Sequence, residues 1–301
     1  MDCLAREVVI HGRCRHPNIP LLYGYYEDKS HVFMVLEYIE GKELRQMMSE
    51  RRTIPEDESL LIYLQMMRAL EYIHAQGYIH RDVKPQNVMV KPSGRALIID
   101  FGLSIDSEQG PSEHEEGAGV GTMGFFAPEM VKSNHISAKQ DVWASGVILY
   151  EMVFGFVPFL PHDLLSDDGV EFPEACWGLE ASPALQDVLT KVLCKTHAGR
   201  PSSWEALQLA WFTPGAATAV DALIAMEESV AGARFDERAA SWDESRRVAF
   251  EALSYRVAEQ GHLSVTTRTI AISTPQVRPG YYFDAGQPPP FMRDMSDSTV
   301  G

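Results

Sequence analysis

Residues 141–155, DVWASGVILYEMVFG, are apolar on nearly every side. A helix with that pattern has no face to offer water, so other elements must enclose it. The chain must therefore build a core around a buried helix, and its 301 residues are enough for one large or two ordinary domains. Glu151 interrupts the apolar run, which is also too short to cross a bilayer.

Composition agrees with that picture. Hydrophobic residues make up 45% of the chain and charged residues 23%, as in a soluble globular protein. The net charge of −16 argues against a general nucleic-acid or anionic-membrane surface and leaves room for basic protein partners. Cys3, Cys14, Cys176 and Cys194 are scattered, with no C-x-x-C pair. That spacing suits reduced thiols of a cytoplasmic or nuclear protein rather than a disulfide frame or a zinc site. The opening MDCLAREVVIHGR is charged, helical in pattern and without a signal-peptide core.

The spacing predicts a helix over 2–14, stopped before Pro17. Strand-like runs follow at 21–27 and 31–38, split by the polar turn 28–30. Thr53 and Glu56 form a candidate capping box for a helix with Leu60, Leu64, Met67, Leu70 and His74 on one face, ending at Gly77. The runs NVMV and ALIID flank the turn KPSGR and predict a hairpin. A glycine-rich acidic loop covers 103–121, and further helices are expected at 182–194 and 202–211. From 213 the chain is alanine-rich and helical in pattern; from 274 it is rich in Pro, Gly and Ser.

Two motifs sit on this frame. His80-Arg81-Asp82 with Asn87 precedes the hairpin, and Asp100-Phe101-Gly102 follows it. Together with GTMGFFAPE at 121–129, they make residues 2 to about 212 resemble a eukaryotic protein kinase of the serine/threonine type, calcium/calmodulin-dependent-like or Aurora-like. The resemblance implies an α+β protein-kinase-like fold: a mostly helical C-lobe, a truncated N-lobe sheet and a helical C-terminal extension. Its expected parts are a partial N-lobe over 1–38, a C-lobe over 39–212, a helical extension over 213–273 and a loose tail over 274–301.

The resemblance also assigns roles. Asp82 would orient the incoming hydroxyl and accept its proton, Lys84 would neutralise charge on the transferred group, and Asn87 and Asp100 would hold magnesium. Thr122 would touch the catalytic loop, Glu129 would pair with Arg200, and Asp141 would fix the loop's shape. Arg81 would bind negative charge on the activation loop, where Ser112, Glu115 or Glu116 could supply it. Phe101 would pack under the first helix. Backbone groups of Glu37 and Ile39 would meet adenine, with Met89 as its floor, and Glu43 would reach the ribose or a basic substrate. Glu7 matches the glutamate that pairs with the ATP-binding lysine, and Glu151 matches a substrate-binding acid. The implied cofactors are ATP and Mg2+, and the implied partners are protein substrates with a preference for basic ones.

The pattern departs from the family at its start. No glycine-rich loop or strand lysine precedes Glu7; Lys29 and Lys42 lie in the wrong places, and GAGVGT at 117–122 neither follows a strand nor opens a helix. The expectation is thus a kinase whose residues 1–301 alone transfer phosphate poorly. A kinase-like scaffold or binding module without chemistry is the alternative from another class. The segment before VEFPEACW is short for a substrate-docking helix. Residues 242–257, WDESRRVAFEALSYRV, resemble a calmodulin-target helix, against the plainer reading of a helix packed on the C-lobe.

Overall fold

The computed structural model describes residues 3–27, 32–108, 121–160, 162–173, 181–231 and 268–272. The calmodulin-like stretch 242–257, the acidic and serine residues at 112–116 and the tail 274–301 lie outside the described residues.

The chain opens with α1 (Cys3–Arg13), β1 (Leu22–Glu27), β2 (Val32–Glu37) and the two-residue β3 (Lys42–Glu43). α2 (Leu44–Arg51) and the long α3 (Glu56–Ala75) follow, then β4 (Tyr78–Ile79), β5 (Val88–Val90), β6 (Ala96–Ile98) and β7 (Ile105–Asp106). The remainder is α4 (Pro128–Ser133), α5 (Lys139–Phe154), α6 (Pro183–Val192), α7 (Ser203–Ala206), α8 (Pro214–Ala231) and β8 (Arg268–Ile272).

The apolar run that opened the sequence reading is α5. From Gln140 to Tyr150 every residue is buried. α3 and α6 cover it, and Gly146 lets α6 approach: a Cβ there would stand 2.7 Å from Val192 Cγ2. Trp143, Ile148 and Leu149 join Tyr63, Met67 and Leu70 of α3 in the main core. A second, smaller core forms where α1 lays Leu4, Ala5, Val8 and Val9 on Leu22, Val32 and Met34 of the β1–β2 hairpin.

Three small sheets complete the frame. β5 and β6 pair antiparallel, Val88 opposite Ile98, with β3 on the outer side of β5; β4 pairs with β7. β1 and β2 pair antiparallel, and β8 adds to β2 in parallel, with Phe33 opposite Arg268. The extension is helical over 214–231, yet 268–272 is a strand; and the N-terminal sheet has three strands rather than two. A parallel partner so distant in sequence leaves no local turn signal to read.

Local rules were overridden at one helix start. α3 begins at Glu56 after Pro55, and no side chain caps it. Glu56 does not close a box with Thr53: its carboxylate takes the amide and hydroxyl of Ser182, at 2.9 and 2.5 Å, and the indole N–H of Trp211 at 2.9 Å. Tertiary donors have claimed the acid that a local cap would use. Between 160 and 173 there is one 3-10 turn, Asp163–Leu165, and no α-helix among the described residues, in line with the short segment seen in sequence.

Candidate active site

After β4 the backbone turns sharply, and Arg81 sits at φ +66°. A non-glycine residue held there must be fixed by its surroundings. Asp141, in the first turn of α5, does this. Its carboxylate accepts the amides of His80 and Arg81 and the His74 ring, each at 2.9 Å. Burial pushes the Asp141 carboxyl up, but these bonds and the nearby imidazoles outweigh it and hold the group below the usual carboxylate range. Arg81 Nε donates to the Leu103 carbonyl at 2.6 Å, tying the loop to the start of the acidic segment.

The fixed loop presents Asp82. One carboxylate oxygen accepts the Thr122 hydroxyl at 3.0 Å; the other accepts Lys84 Nζ at 2.5 Å and the Asn87 side-chain amide at 2.9 Å. The Asn87 nitrogen also donates to the Asp82 carbonyl at 2.9 Å. Asn87 thus commits its nitrogen inward and leaves its oxygen unbonded among the described residues. Asp100 is exposed at the end of β6, again at φ +66°, and its carboxylate accepts the Gly102 amide at 3.0 Å. A side-chain oxygen of Asn87 and a carboxylate of Asp100 are hard donors of the kind magnesium takes, so these residues fit that ion.

Phe101 is fully buried, stacked on His11 of α1 at 4.6 Å and edge-on to His80 at 5.2 Å. It joins the first helix to the catalytic loop. Gly102 leaves room beside it: a Cβ there would come 3.1 Å from Asp100 Oδ1 and 3.5 Å from Glu7 Oε2. Glu7 thus faces a second carboxylate, and no cation pairs with it among the described residues. Burial, and then the Asp100 charge, push its carboxyl up to about 7.

Residues 38–41 connect the two cores. The Glu37 amide donates to the Leu21 carbonyl at 2.8 Å, and its carboxylate accepts the Leu21 amide at 3.2 Å. Ile39 is half-buried, and Gly41 passes so close to β5 that a Cβ would stand 2.5 Å from the Val90 carbonyl oxygen. Met89 is half-buried in β5, opposite the exposed Glu43 of β3. The residues assigned to adenine therefore come from β2, its exit and β5.

Below the loop, Glu129 and Arg200 form a two-bonded pair at 2.6 and 2.9 Å. The remaining Arg200 donors reach the Cys194 and Lys139 carbonyls, and its guanidinium lies 4.9 Å from the Trp143 ring. Burial raises the Glu129 carboxyl, but Arg200 more than offsets it. Glu151, the acid matched to substrate binding, has a partner within the chain. Arg45 of α2 holds its carboxylate at 2.6 and 3.0 Å, and the side chain is 13% exposed.

Sequence reasoning missed Arg45, His74 and Gln140. Gln140 is buried and lines a small cleft with Asp82, Thr122 and Phe126, and neither end of its carboxamide has a partner among the described residues. Its signal was a polar residue at the start of a helix otherwise apolar all round. His74 appeared only as one more residue on the α3 face.

The protein kinase domain family matches residues 2–212, with the catalytic loop, the magnesium donors and the Glu129–Arg200 pair all inside that span. The chain belongs to this family, and its curated relatives are serine/threonine kinases. It is 29% identical to CBL-interacting serine/threonine-protein kinase 16 of Arabidopsis thaliana, over 74% of this chain and 50% of the relative. It is 30% identical to serine/threonine-protein kinase Aurora-2 of the same plant, over 71% of this chain and 75% of the relative. It is also 33% identical to inactive serine/threonine-protein kinase PLK5 of Mus musculus, over 70% of this chain and 35% of the relative. The chain spans half or less of the length of the first and last of these. As a family, such domains act on protein substrates with ATP and magnesium.

Proposed function

We propose that this chain carries the phosphoryl-transfer site of a serine/threonine protein kinase. One observation supports it above the others: Thr122, Lys84 and Asn87 converge on the buried carboxylate of Asp82. Asp82 takes the proton of a serine or threonine hydroxyl as its oxygen bonds to the γ-phosphorus of ATP. The bond to the bridging oxygen breaks and ADP leaves. Lys84 and Thr122 hold Asp82 against rotation, and Lys84 also offsets negative charge on the transferred group. Magnesium, when bound at Asn87 and Asp100, neutralises and aligns the phosphates. Such chemistry depends on position and charge rather than on covalent help from the protein.

A second reading, a kinase-like binding module, is favoured by Glu7. Its carboxylate faces Asp100 without a cation among the described residues, an arrangement that does not grip phosphates. The preference for basic substrates rests on Glu43 and on Glu151, which is paired with Arg45. Peptides with and without an arginine upstream of the target separate that proposal from an indifferent site. A calmodulin-like partner for residues 242–257 is tested by calcium-dependent binding of calmodulin to the whole chain.

The deciding experiment measures phosphate transfer from Mg-ATP to a generic basic peptide, with Asp82→Asn alongside. The kinase reading expects turnover that falls about a thousandfold in the variant, the usual worth of a positioned base. Phosphotyrosine as the main product would overturn the serine/threonine assignment. Partner binding without any turnover would favour the module.

A further inference from the structure

Helix α8 lies just beyond the matched span of 2–212 and has no part in the chemistry above. Its apolar face is short and regular: Ala216, Val220 and Ile224 are buried against Leu64 of α3. Glu227 continues that face by one more step. Its carboxylate is 17% exposed and gathers three donors from the β5–β6 turn: Lys91 Nζ and Arg95 Nη1, both at 3.1 Å, and the Ser93 hydroxyl. Burial raises the Glu227 carboxyl, but Ser93, Lys91 and Arg95 outweigh it and hold it ionised below the usual range. Asp221 adds a bond to Arg68 at 2.6 Å.

The same two cations face the other way as well. Arg95 Nε donates to the Pro17 carbonyl at 2.9 Å, in the connection between α1 and β1. Lys91 Nζ lies 3.7 Å from Glu37, the last residue of β2 and the first of the segment assigned to adenine. Asn18 reinforces the junction through the Ala96 carbonyl and Gln65. One carboxylate on α8 therefore orients the two side chains that hold the small N-terminal core against the large one.

We propose that Glu227 is a positioning residue for the nucleotide hinge, and that α8 latches the two cores through Lys91 and Arg95. Without Glu227, the two cations lose their shared counter-charge, and Lys91 keeps only Glu37 and Arg95 only the Pro17 carbonyl. The contacts to Pro17 and Glu37 then loosen, and the hinge with them. Lys91 is held between two carboxylates and Arg95 between a carboxylate and a carbonyl, so each side chain is fixed at both ends. The nucleotide half of this inference rests on the reading of residues 37–41 as the adenine contact.

The test is hydrogen exchange on the full chain, read together with binding of ADP and magnesium. In Glu227→Gln, amides at 17–22 and 36–41 are expected to exchange about tenfold faster, while those at 82–98 keep their protection. The ADP dissociation constant is expected to rise several-fold. The milder Ser93→Ala should give a smaller shift in the same amides, which covers the case in which Glu227→Gln fails to fold. The conservative variant Glu227→Asp, which keeps the charge, should retain part of the protection that Glu227→Gln loses, which a merely structural role for α8 would not do. Faster exchange confined to 214–231, with the hinge unchanged, overturns the proposal. Faster hinge exchange with no ADP bound by either protein would support the latch and overturn the adenine assignment instead.

Discussion

The two cores solve the problem of buried charge in opposite ways. Around α5 each buried ion has its counterpart: Asp141 has His74 and two loop amides, and Glu129 has Arg200, itself supplied with carbonyls for its other donors. In the N-terminal core, Glu7 is half-buried, faces Asp100 and has no cation among the described residues. The first arrangement is complete and rigid. The second stores unfavourable energy that a positive partner would release, so charge there is a socket and charge below is a rivet.

The largest effect expected from that contrast is at Arg200. Arg200→Met leaves Glu129 buried without its partner and should cost roughly 3–5 kcal/mol in urea unfolding. A loss below 1 kcal/mol would mean that the pair is no more than a surface contact. At Glu7 the sign reverses. Its folded pKa of about 7 lies above the ordinary value of 4.5 expected in the unfolded chain. The folded state therefore holds the extra proton between those values, and stability falls as pH rises from about 4.5 to about 7. Glu7→Gln should remove that slope and stabilise the chain at pH 8 by about 2–3 kcal/mol. A wild-type profile that is flat over that range would break the comparison.

Smaller effects sharpen it. Gly41→Ala forces a methyl against the Val90 carbonyl and should destabilise by roughly 1–3 kcal/mol, with the strain at the link between the cores. Thr122→Ala removes one bond to the Asp82 carboxylate. It should lower kcat about tenfold, the worth of a hydrogen bond to a charged group, and leave unfolding nearly unchanged. An equal fall in stability would make Thr122 a structural residue.

What the sequence disclosed follows from the same division. The α5 helix, the β5–β6 hairpin and the residues of the catalytic loop were readable because their signals are local: an apolar run, a turn flanked by short strands, fixed spacings. The partner of Glu151 was not legible, because the spacing of its own segment says nothing of Arg45, 106 positions earlier. Glu56 misled for the same reason, its true donors lying at Ser182 and Trp211. β8 was invisible, since a parallel strand carries its pairing information on another strand. Glu227 looked like one acid among many on an alanine-rich helix until the hairpin turn was placed beside it.

The pairing of β8 with β2 also sets an order of events during synthesis. Phe33 meets Arg268, 235 positions later. At ribosomal speed of about 5–20 residues per second, the edge of β2 waits roughly ten to fifty seconds before its own partner has been made. By then residues 39–212 have all left the ribosome and can have condensed around α5. Among the described strands, β8 is the last to reach the sheet, and any other strand that arrives in that interval competes for the place that Arg268–Ile272 will take.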